Sequence, residues 1–300
     1  MSGKARNSFV FVIPVRNPED DKVSNYQCIE TALHETVRSL TRQTWENTHV
    51  VVVCHQVPLW SSDYSNQVTF LDVSNLSVFP PNTNPVRVDK GLKYIIGILY
   101  AKKNLNPALI MPMDADDYVN INLAKSLIWK NHFNKLSDGY MIKQGLHINL
   151  EVTPQYSIEY EAAYQIRNFD HSCGSCRIFK PKPLMRRLKS IDTNITEKFS
   201  CWPSKLPNAS LKVPEEPVVW LSDRSKSTYH TEDSIVNILG RHINQNAYFK
   251  FSSLSLIGAA KGCGHGNHDG PRQGEVHQDK LISDFPIQKF YGEFGVLRNS

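Results

Sequence analysis

The chain has 300 residues, of which 40% are hydrophobic and 21% are charged, and its net charge is +5. This is an ordinary globular composition, and the length suits one large α/β domain or two smaller domains. Lys and Arg are dispersed, so nucleic acid is not indicated as a partner, whereas anionic ligands or weak membrane-surface association fit the charge. The longest apolar run, Phe9–Val15, is too short for a membrane span or a signal peptide. We therefore expect a cytoplasmic protein, peripheral to a membrane at most.

The cysteines are scattered along the chain, and free thiols are the default when no signal peptide precedes them. Cys173 and Cys176 have the spacing of a zinc or redox pair, but no second pair accompanies them. Ordinary packing is therefore the favoured interpretation of these two residues.

The first part of the chain alternates between strand and helix patterns. Phe9–Val15 and His49–Cys54 are near-continuous apolar runs, typical of strands buried on both faces of a parallel sheet. Helical periodicity over Tyr26–Thr41 lies between them, so the three elements form a βαβ unit. Further elements continue the alternation: a weak strand at Val68–Val73, a helix opening at Lys90 and a strand at Leu109–Met113.

The later part of the chain is less regular. Its predicted elements are a helix near Leu123–Phe133, a hairpin within Ser137–Leu150, a turn into a strand at 172–180, a short helix at Pro181–Leu188, a polar loop region at 190–228 and a helix at Thr231–Ile243. The last helix is well signalled, because a Thr caps it and acids occupy its first turn. From residue 261 the chain is rich in Gly and His, a composition that makes a loop able to wrap a ligand.

Residues 108–118 are the most informative stretch, an apolar run followed by Asp114, Asp116 and Asp117. Carboxylates at the end of a buried strand suit the mouth of an α/β sheet. Asp114 and Asp116 point the same way in an extended segment, and their like charges would repel unless a cation lay between them. A hard divalent ion such as Mn²⁺ or Mg²⁺ is the natural candidate. The alternative is that the aspartates cap the following helix.

Four segments are informative when taken in order: Val12-Ile-Pro-Val-Arg-Asn17, Gln43-Thr-Trp-Glu-Asn47, Asp114-Ala-Asp-Asp117 and Thr231-Glu-Asp233. Together they resemble the corresponding segments of the family 2 glycosyltransferases. The resemblance implies an α/β fold of the GT-A type, a Rossmann-like α/β/α sandwich with a mostly parallel central sheet. It also implies a divalent ion on Asp116, inversion at the anomeric carbon, and a carboxylate general base at Asp233, with Glu232 as the less favoured choice. The simpler interpretation of both acids is a favourable interaction with a helix N-terminus.

The same resemblance indicates further ligands. A histidine of a C-terminal loop often completes the metal sphere in GT-A enzymes, which indicates His265 or His268 here, whereas solvated loop histidines are the alternative. The residues expected to contact the nucleotide or its diphosphate are Pro14, Arg16, Lys90, Asp114 and Arg272. In the family, acidic residues usually follow the second strand, but Cys54-His-Gln-Val stands there in this chain. The loop therefore does not indicate which base is bound, and a UDP-sugar is favoured because it is the commoner donor.

We expect a glycosyltransferase domain over residues 8–245, with a nucleotide-sugar half at about 8–118 and an acceptor half at about 119–245. Residues 246–300 would form an extension that carries the Gly/His-rich loop. The expected activity is metal-dependent transfer of a sugar to a hydroxyl of a glycan or lipid-linked acceptor, in surface polysaccharide or glycoconjugate synthesis. A GT-A-like protein that binds sugar nucleotide or glycan without turnover, or a phosphatase with an Asp-x-Asp motif, is the alternative. No P-loop motif is present.

Overall fold

The computed structural model describes residues 7–20, 23, 25–64, 66–74, 85–133, 135–153, 158–166, 168–191, 211–212, 250–262 and 281–296. Within these ranges the chain forms one mixed sheet with helices on both faces. The strands are β1 (Phe9–Pro14), β2 (Thr48–Cys54), β3 (Val68–Asp72), β4 (Leu109–Pro112), β5 (Tyr118–Val119), β6 (Gly139–Val152), β7 (Ile158–Ile166), β8 (Arg177–Phe179), β9 (Leu211–Lys212), β10 (Phe251–Gly262) and β11 (Leu281–Phe285). The helices are α1 (Tyr26–Thr41), α2 (Pro85–Asn104), α3 (Leu123–Phe133), α4 (Phe169–Ser172), α5 (Pro181–Ile191) and α6 (Ile287–Phe294), with a 3₁₀ turn at Leu59–Tyr64.

The sheet has the strand order β11-β7-β6-β8-β4-β1-β2-β3-β9, and β10 pairs with β5 and β6. The pairs β3–β2, β2–β1 and β1–β4 are parallel, whereas β4–β8, β8–β6 and β6–β7 are antiparallel. The predicted α/β class is therefore confirmed. Because the chain leaves β1 toward β2 on one side and returns to β4 on the other, β1 and β4 flank a topological switch point. The crevice outside the carboxyl ends of such strands is where open α/β sheets bind ligands.

Alternate residues of β1 enter two different cores, as expected for a strand buried on both faces. Val10 and Val12 pack with α2 and α5, and Phe9, Phe11 and Ile13 pack with α1 and α3. These two cores form the helix–sheet–helix layers that fix the position of the β1 and β4 ends.

Local signals predicted α1 well. Its bounds, Tyr26–Thr41, are those expected from periodicity, and the Asn25 side chain caps it by accepting a hydrogen bond from the Gln27 N–H at 3.0 Å. Helix α2 instead begins at Pro85, five residues before the expected start at Lys90. Proline is favoured at the first helical position because its missing N–H would have no partner there.

The predicted hairpin within Ser137–Leu150 is wrong, because residues 139–152 form the single strand β6. Its antiparallel partner is β7, the next strand along the chain. Gly145 lies inside β6, where a Cβ would come within 2.2 Å of the Phe169 ring. This glycine therefore serves close packing in a strand and not a turn.

Strands β10 and β11 belong to the expected C-terminal extension, and both join the same sheet. The helix predicted at Thr231–Ile243 and the Gly/His-rich loop from residue 263 lie outside the described residues. Within the described part of the chain, no helix is both long enough and apolar enough to cross a membrane.

Candidate functional site

A cleft of about 260 Å³ opens at the switch point, where β1 and β4 end. The end of β1, the segments after β1 and β4, and residues of α1 and α2 supply its walls. Its lining residues are Pro14, Val15, Arg16, Ile29, Ala32, Asp89, Lys90, Asp114, Ala115 and Asp116. The cleft thus combines apolar walls with two cations and three carboxylates.

Helix α2 places a cation against the first aspartate of the acidic motif. Lys90 Nζ lies 2.6 Å from Asp114 Oδ1, and the Tyr94 hydroxyl lies 3.0 Å from the same oxygen. Burial alone would lower the pKa of Lys90, but the charges of Asp114 and Asp116 outweigh burial and raise it. The ammonium therefore stays charged at neutral pH and offsets the repulsion between the two aspartates.

The third aspartate of the motif lies behind the cleft. Asp117 is only 1% exposed, and its Oδ2 accepts hydrogen bonds from Ser175 Oγ at 2.5 Å and from Cys173 Sγ at 3.2 Å. Burial, followed by the charges of Asp116 and Asp114, raises the pKa of Asp117 to about 8. The acidic motif therefore divides into two carboxylates that line the cleft and one that is packed inside the protein.

A buried ion pair lies beside the cleft. Lys93 Nζ, which is fully buried, donates to Asp89 Oδ2 and to the Val15 carbonyl, each at 2.6 Å. Burial raises the pKa of Asp89 and lowers that of Lys93, and each partner's charge opposes the shift of the other. The pair ties the chain after β1 to α2, and removing one partner would leave an uncompensated buried charge.

Asp114 and Asp116 fit a divalent cation. Within the described residues, no group of three or more His, Cys, Asp or Glu side chains could hold a metal ion. Mg²⁺, however, is usually bound by one or two carboxylates together with substrate phosphates and water, and Mn²⁺ also favours oxygen ligands. Two cleft-lining carboxylates beside Lys90 therefore match a metal–diphosphate site better than an all-protein metal cage.

The structure brings together five of the residues singled out by sequence: Pro14, Arg16, Lys90, Asp114 and Asp116. Arg16 is paired with Asp20, at 3.0 Å between Nε and Oδ2. The other expected site residues, Glu232, Asp233, His265, His268 and Arg272, lie outside the described residues. The functional roles of both groups stay predictions.

Sequence reasoning missed Tyr94, Asp89, Lys93 and Ser175 as parts of this site. The pair Asp89 and Lys93 had a local signal, since an acid four residues before a lysine on a helix forms an i,i+4 pair. Tyr94 and Ser175 had none that would connect them with Asp114.

The thiols Cys173 and Cys176 are buried and free. Burial raises the pKa of Cys173 well above its usual value and that of Cys176 to about 12. Both are therefore neutral thiols at physiological pH, whereas metal ligation and disulfide exchange need thiolates. This geometry supports packing as the role of the pair.

No family model matches the chain, and no curated protein matches it in sequence. Among solved structures, the chain is similar to S. aureus TarS residues 1–349, with 16% identity, a TM-score of 0.42 and coverage of 85% of this chain and 60% of that one. It thus spans about 60% of the length of that fragment. It is also similar to the glycosyltransferase GlyE of Streptococcus pneumoniae TIGR4, with 10% identity and a TM-score of 0.36. This match covers 98% of this chain and 61% of GlyE. A third similar structure is that of the galactosyltransferase LgtC in complex with donor and acceptor sugar analogs, with 11% identity and a TM-score of 0.35. This match covers 98% of this chain and 97% of LgtC.

Proposed function

We propose that the chain is a metal-dependent, inverting glycosyltransferase of the GT-A type that uses a nucleotide diphosphate-sugar. The observation that carries the proposal is the placement of Asp114, Asp116 and Lys90 in one cleft at the switch point between β1 and β4. This is the position at which open α/β sheets bind nucleotides.

The charges of the cleft suit a diphosphate. Asp114 and Asp116 would hold a divalent ion, which would supply Lewis-acid stabilisation of the charge that develops on the leaving phosphate. Lys90 would then be free to contact the phosphate oxygens, because the ion would neutralise Asp114 in its place. Arg16, two residues after the end of β1, adds a second cation to the lining of the cleft.

The acceptor hydroxyl must lose its proton as its oxygen bonds to the anomeric carbon and the bond to the phosphate oxygen breaks. A carboxylate is suited to take this proton. We assign it to Asp233, with Glu232 as the second choice, and assign one of His265 and His268 as an additional metal ligand. Arg272 would contact the diphosphate. The acceptor would be a glycan or lipid-linked sugar, and a UDP-sugar the donor.

Calorimetric titration of UDP and GDP, each with Mn²⁺ and then with a chelator, tests the proposal. We expect at least one nucleotide to bind with Mn²⁺ and to lose most of its affinity when the metal is removed. Asp72→Asn is the matched control, because Asp72 ends β3 at the same edge of the sheet and does not line the cleft. Absence of binding, or equal affinity with and without metal, would contradict the proposed function.

A binding protein without turnover would give the same titration. Release of nucleoside diphosphate from the bound donor, measured against a panel of glycan acceptors, separates the two cases. Metal-dependent binding with no release from any donor and acceptor combination would favour the binding protein.

A further inference from the structure

The segment Cys173–Cys176 holds the acidic motif from behind, and Ser175 is its central contact. Ser175 is completely buried. Its Oγ accepts a hydrogen bond from the Asp114 N–H at 2.8 Å and donates one to Asp117 Oδ2 at 2.5 Å. A single hydroxyl therefore connects the first and last residues of the Asp114–Asp117 turn.

The middle of the turn is fixed from another direction. Thr36 Oγ1, on α1, donates to the Ala115 carbonyl at 2.9 Å. Cys173 Sγ adds a second donor to Asp117 at 3.2 Å. The turn that carries Asp114 and Asp116 into the cleft is therefore supported by side chains of two separate segments.

We infer that Ser175 is a positioning residue for the divalent-cation site and that Asp117 is the buried anchor of the acidic motif, not a metal ligand. The inference rests on the proposed function, since it concerns the same cation. Asp117 is 1% exposed and bonded to Ser175, whereas Asp114 and Asp116 line the cleft. The third aspartate and the Cys-Gly-Ser-Cys segment, to which the proposed chemistry gives no role, would thus act together in holding the turn.

Loss of the Ser175 hydroxyl would remove the hydrogen bond that it accepts from the Asp114 N–H and the one that it donates to Asp117. Residues that orient metal ligands from behind typically affect metal affinity by about 10–100-fold. We therefore expect Ser175→Ala to weaken Mn²⁺ binding by about that factor in the presence of UDP. Electron paramagnetic resonance of free Mn²⁺ measures this affinity without any turnover.

Ser8→Ala is the matched control. Ser8 is also buried, and its hydroxyl donates to the Leu105 carbonyl at the opposite edge of the sheet, 3.3 Å away. Both variants are expected to lose some thermal stability, but only Ser175→Ala should lose Mn²⁺ affinity. Unchanged Mn²⁺ affinity in a folded Ser175→Ala protein would overturn the inference.

Asp117→Asn provides a second test that does not depend on Ser175→Ala folding. The amide oxygen still accepts from Ser175, so Mn²⁺ affinity in the presence of UDP should stay within about 3-fold of the wild type. Asp116→Asn, which removes a proposed ligand, should lose about 10-fold or more under the same conditions. Equal losses of Mn²⁺ affinity in the two variants would indicate that Asp117 is a metal ligand and would overturn the inference. A wild-type protein that binds neither Mn²⁺ nor UDP would instead contradict the proposed function itself.

Discussion

Lys90 Nζ lies 2.6 Å from Asp114 Oδ1, so this lysine is paired with a carboxylate that we assign to the metal. The lysine therefore neutralises part of the negative charge that a divalent ion would otherwise neutralise. Because both could not neutralise Asp114 fully at the same time, metal binding in the proposed site would be coupled to release of the Lys90 ammonium toward a phosphate. Such coupling makes the affinities for metal and diphosphate depend on each other.

Replacing Lys90 separates the two affinities. In Lys90→Gln, UDP should bind about 10–100-fold more weakly in the presence of Mn²⁺, because a charged hydrogen bond of about 1.5–3 kcal/mol to phosphate is lost. Mn²⁺ binding without nucleotide should be equal or tighter, since the competing ammonium is absent. Calorimetry measures both, with Lys102→Gln as the control, an exposed lysine at the far end of the same helix. Unchanged UDP affinity would remove Lys90 from the site.

Packing of α2 against the sheet is expected to tolerate no added methyl group at Gly97. A Cβ there would lie 2.3 Å from Val12 Cγ1 and 3.2 Å from Val53 Cγ2. Gly97→Ala should therefore lower the free energy of unfolding by about 1–3 kcal/mol, in spite of the better helix propensity of Ala. Gly292→Ala, on α6, has no atom within 4 Å of the added group and should be stabilising by up to about 1 kcal/mol. Urea unfolding measures the free energy of unfolding of both variants. A Gly97→Ala protein as stable as the wild type would contradict the expected clash.

The parts of the fold that sequence predicted are those encoded by short-range patterns. Strands β1 and β2 are continuous apolar runs, and α1 has both its periodicity and its cap within its own segment. The hairpin prediction was wrong because β6 continues through Gly145 and pairs with β7. Gly145 is required there by the nearby ring of Phe169, and a contact of this kind cannot be recognised from the residues next to Gly145 in sequence.

The site, too, has parts that are encoded locally in the sequence and parts that depend on contacts between distant residues. Asp114 and Asp116 could be singled out because they follow a buried strand, and parallel strands deliver their ends to one edge. The contact of Ser175 with Asp114 joins residues 61 positions apart and depends on the antiparallel pairing of β8 with β4. No spacing rule in a single sequence relates two such positions.

The aromatic contacts of His34 predict a pH dependence of stability. His34 stacks on Trp60 at 4.5 Å, and its Nε2 lies 3.2 Å from the Tyr64 hydroxyl. Burial, helped by the charge of Arg38, lowers the pKa of His34 below 6.5 against the opposing charges of Glu35 and Asp63. Below about pH 6.5 the unfolded chain therefore binds a proton that the folded state resists, and stability falls as the pH drops toward the folded pKa.

His34→Gln should remove this part of the acid sensitivity. Urea midpoints at pH 7.5 and 5.5 should differ less in His34→Gln than in the wild type, whereas His132→Gln, an exposed residue of α3, should behave as the wild type. Equal pH dependence in all three proteins would contradict the role of His34.

The assignment of the general base gives the last prediction. Asp233→Asn should leave Mn²⁺-dependent UDP binding intact and slow transfer by about 10²–10⁴-fold, equivalent to about 3–5 kcal/mol in the barrier. The amide keeps the size of the side chain but cannot accept a proton. Asp116→Asn should differ by also raising the donor KM, because the metal holds the diphosphate before reaction as well as during it. Rates of nucleoside-diphosphate release, measured with the donor that the wild type uses, distinguish the two variants. A near-normal kcat in Asp233→Asn would exclude this residue as the general base and move the assignment to Glu232. A near-normal kcat and KM in Asp116→Asn would remove the main physical support for a metal-dependent glycosyltransferase.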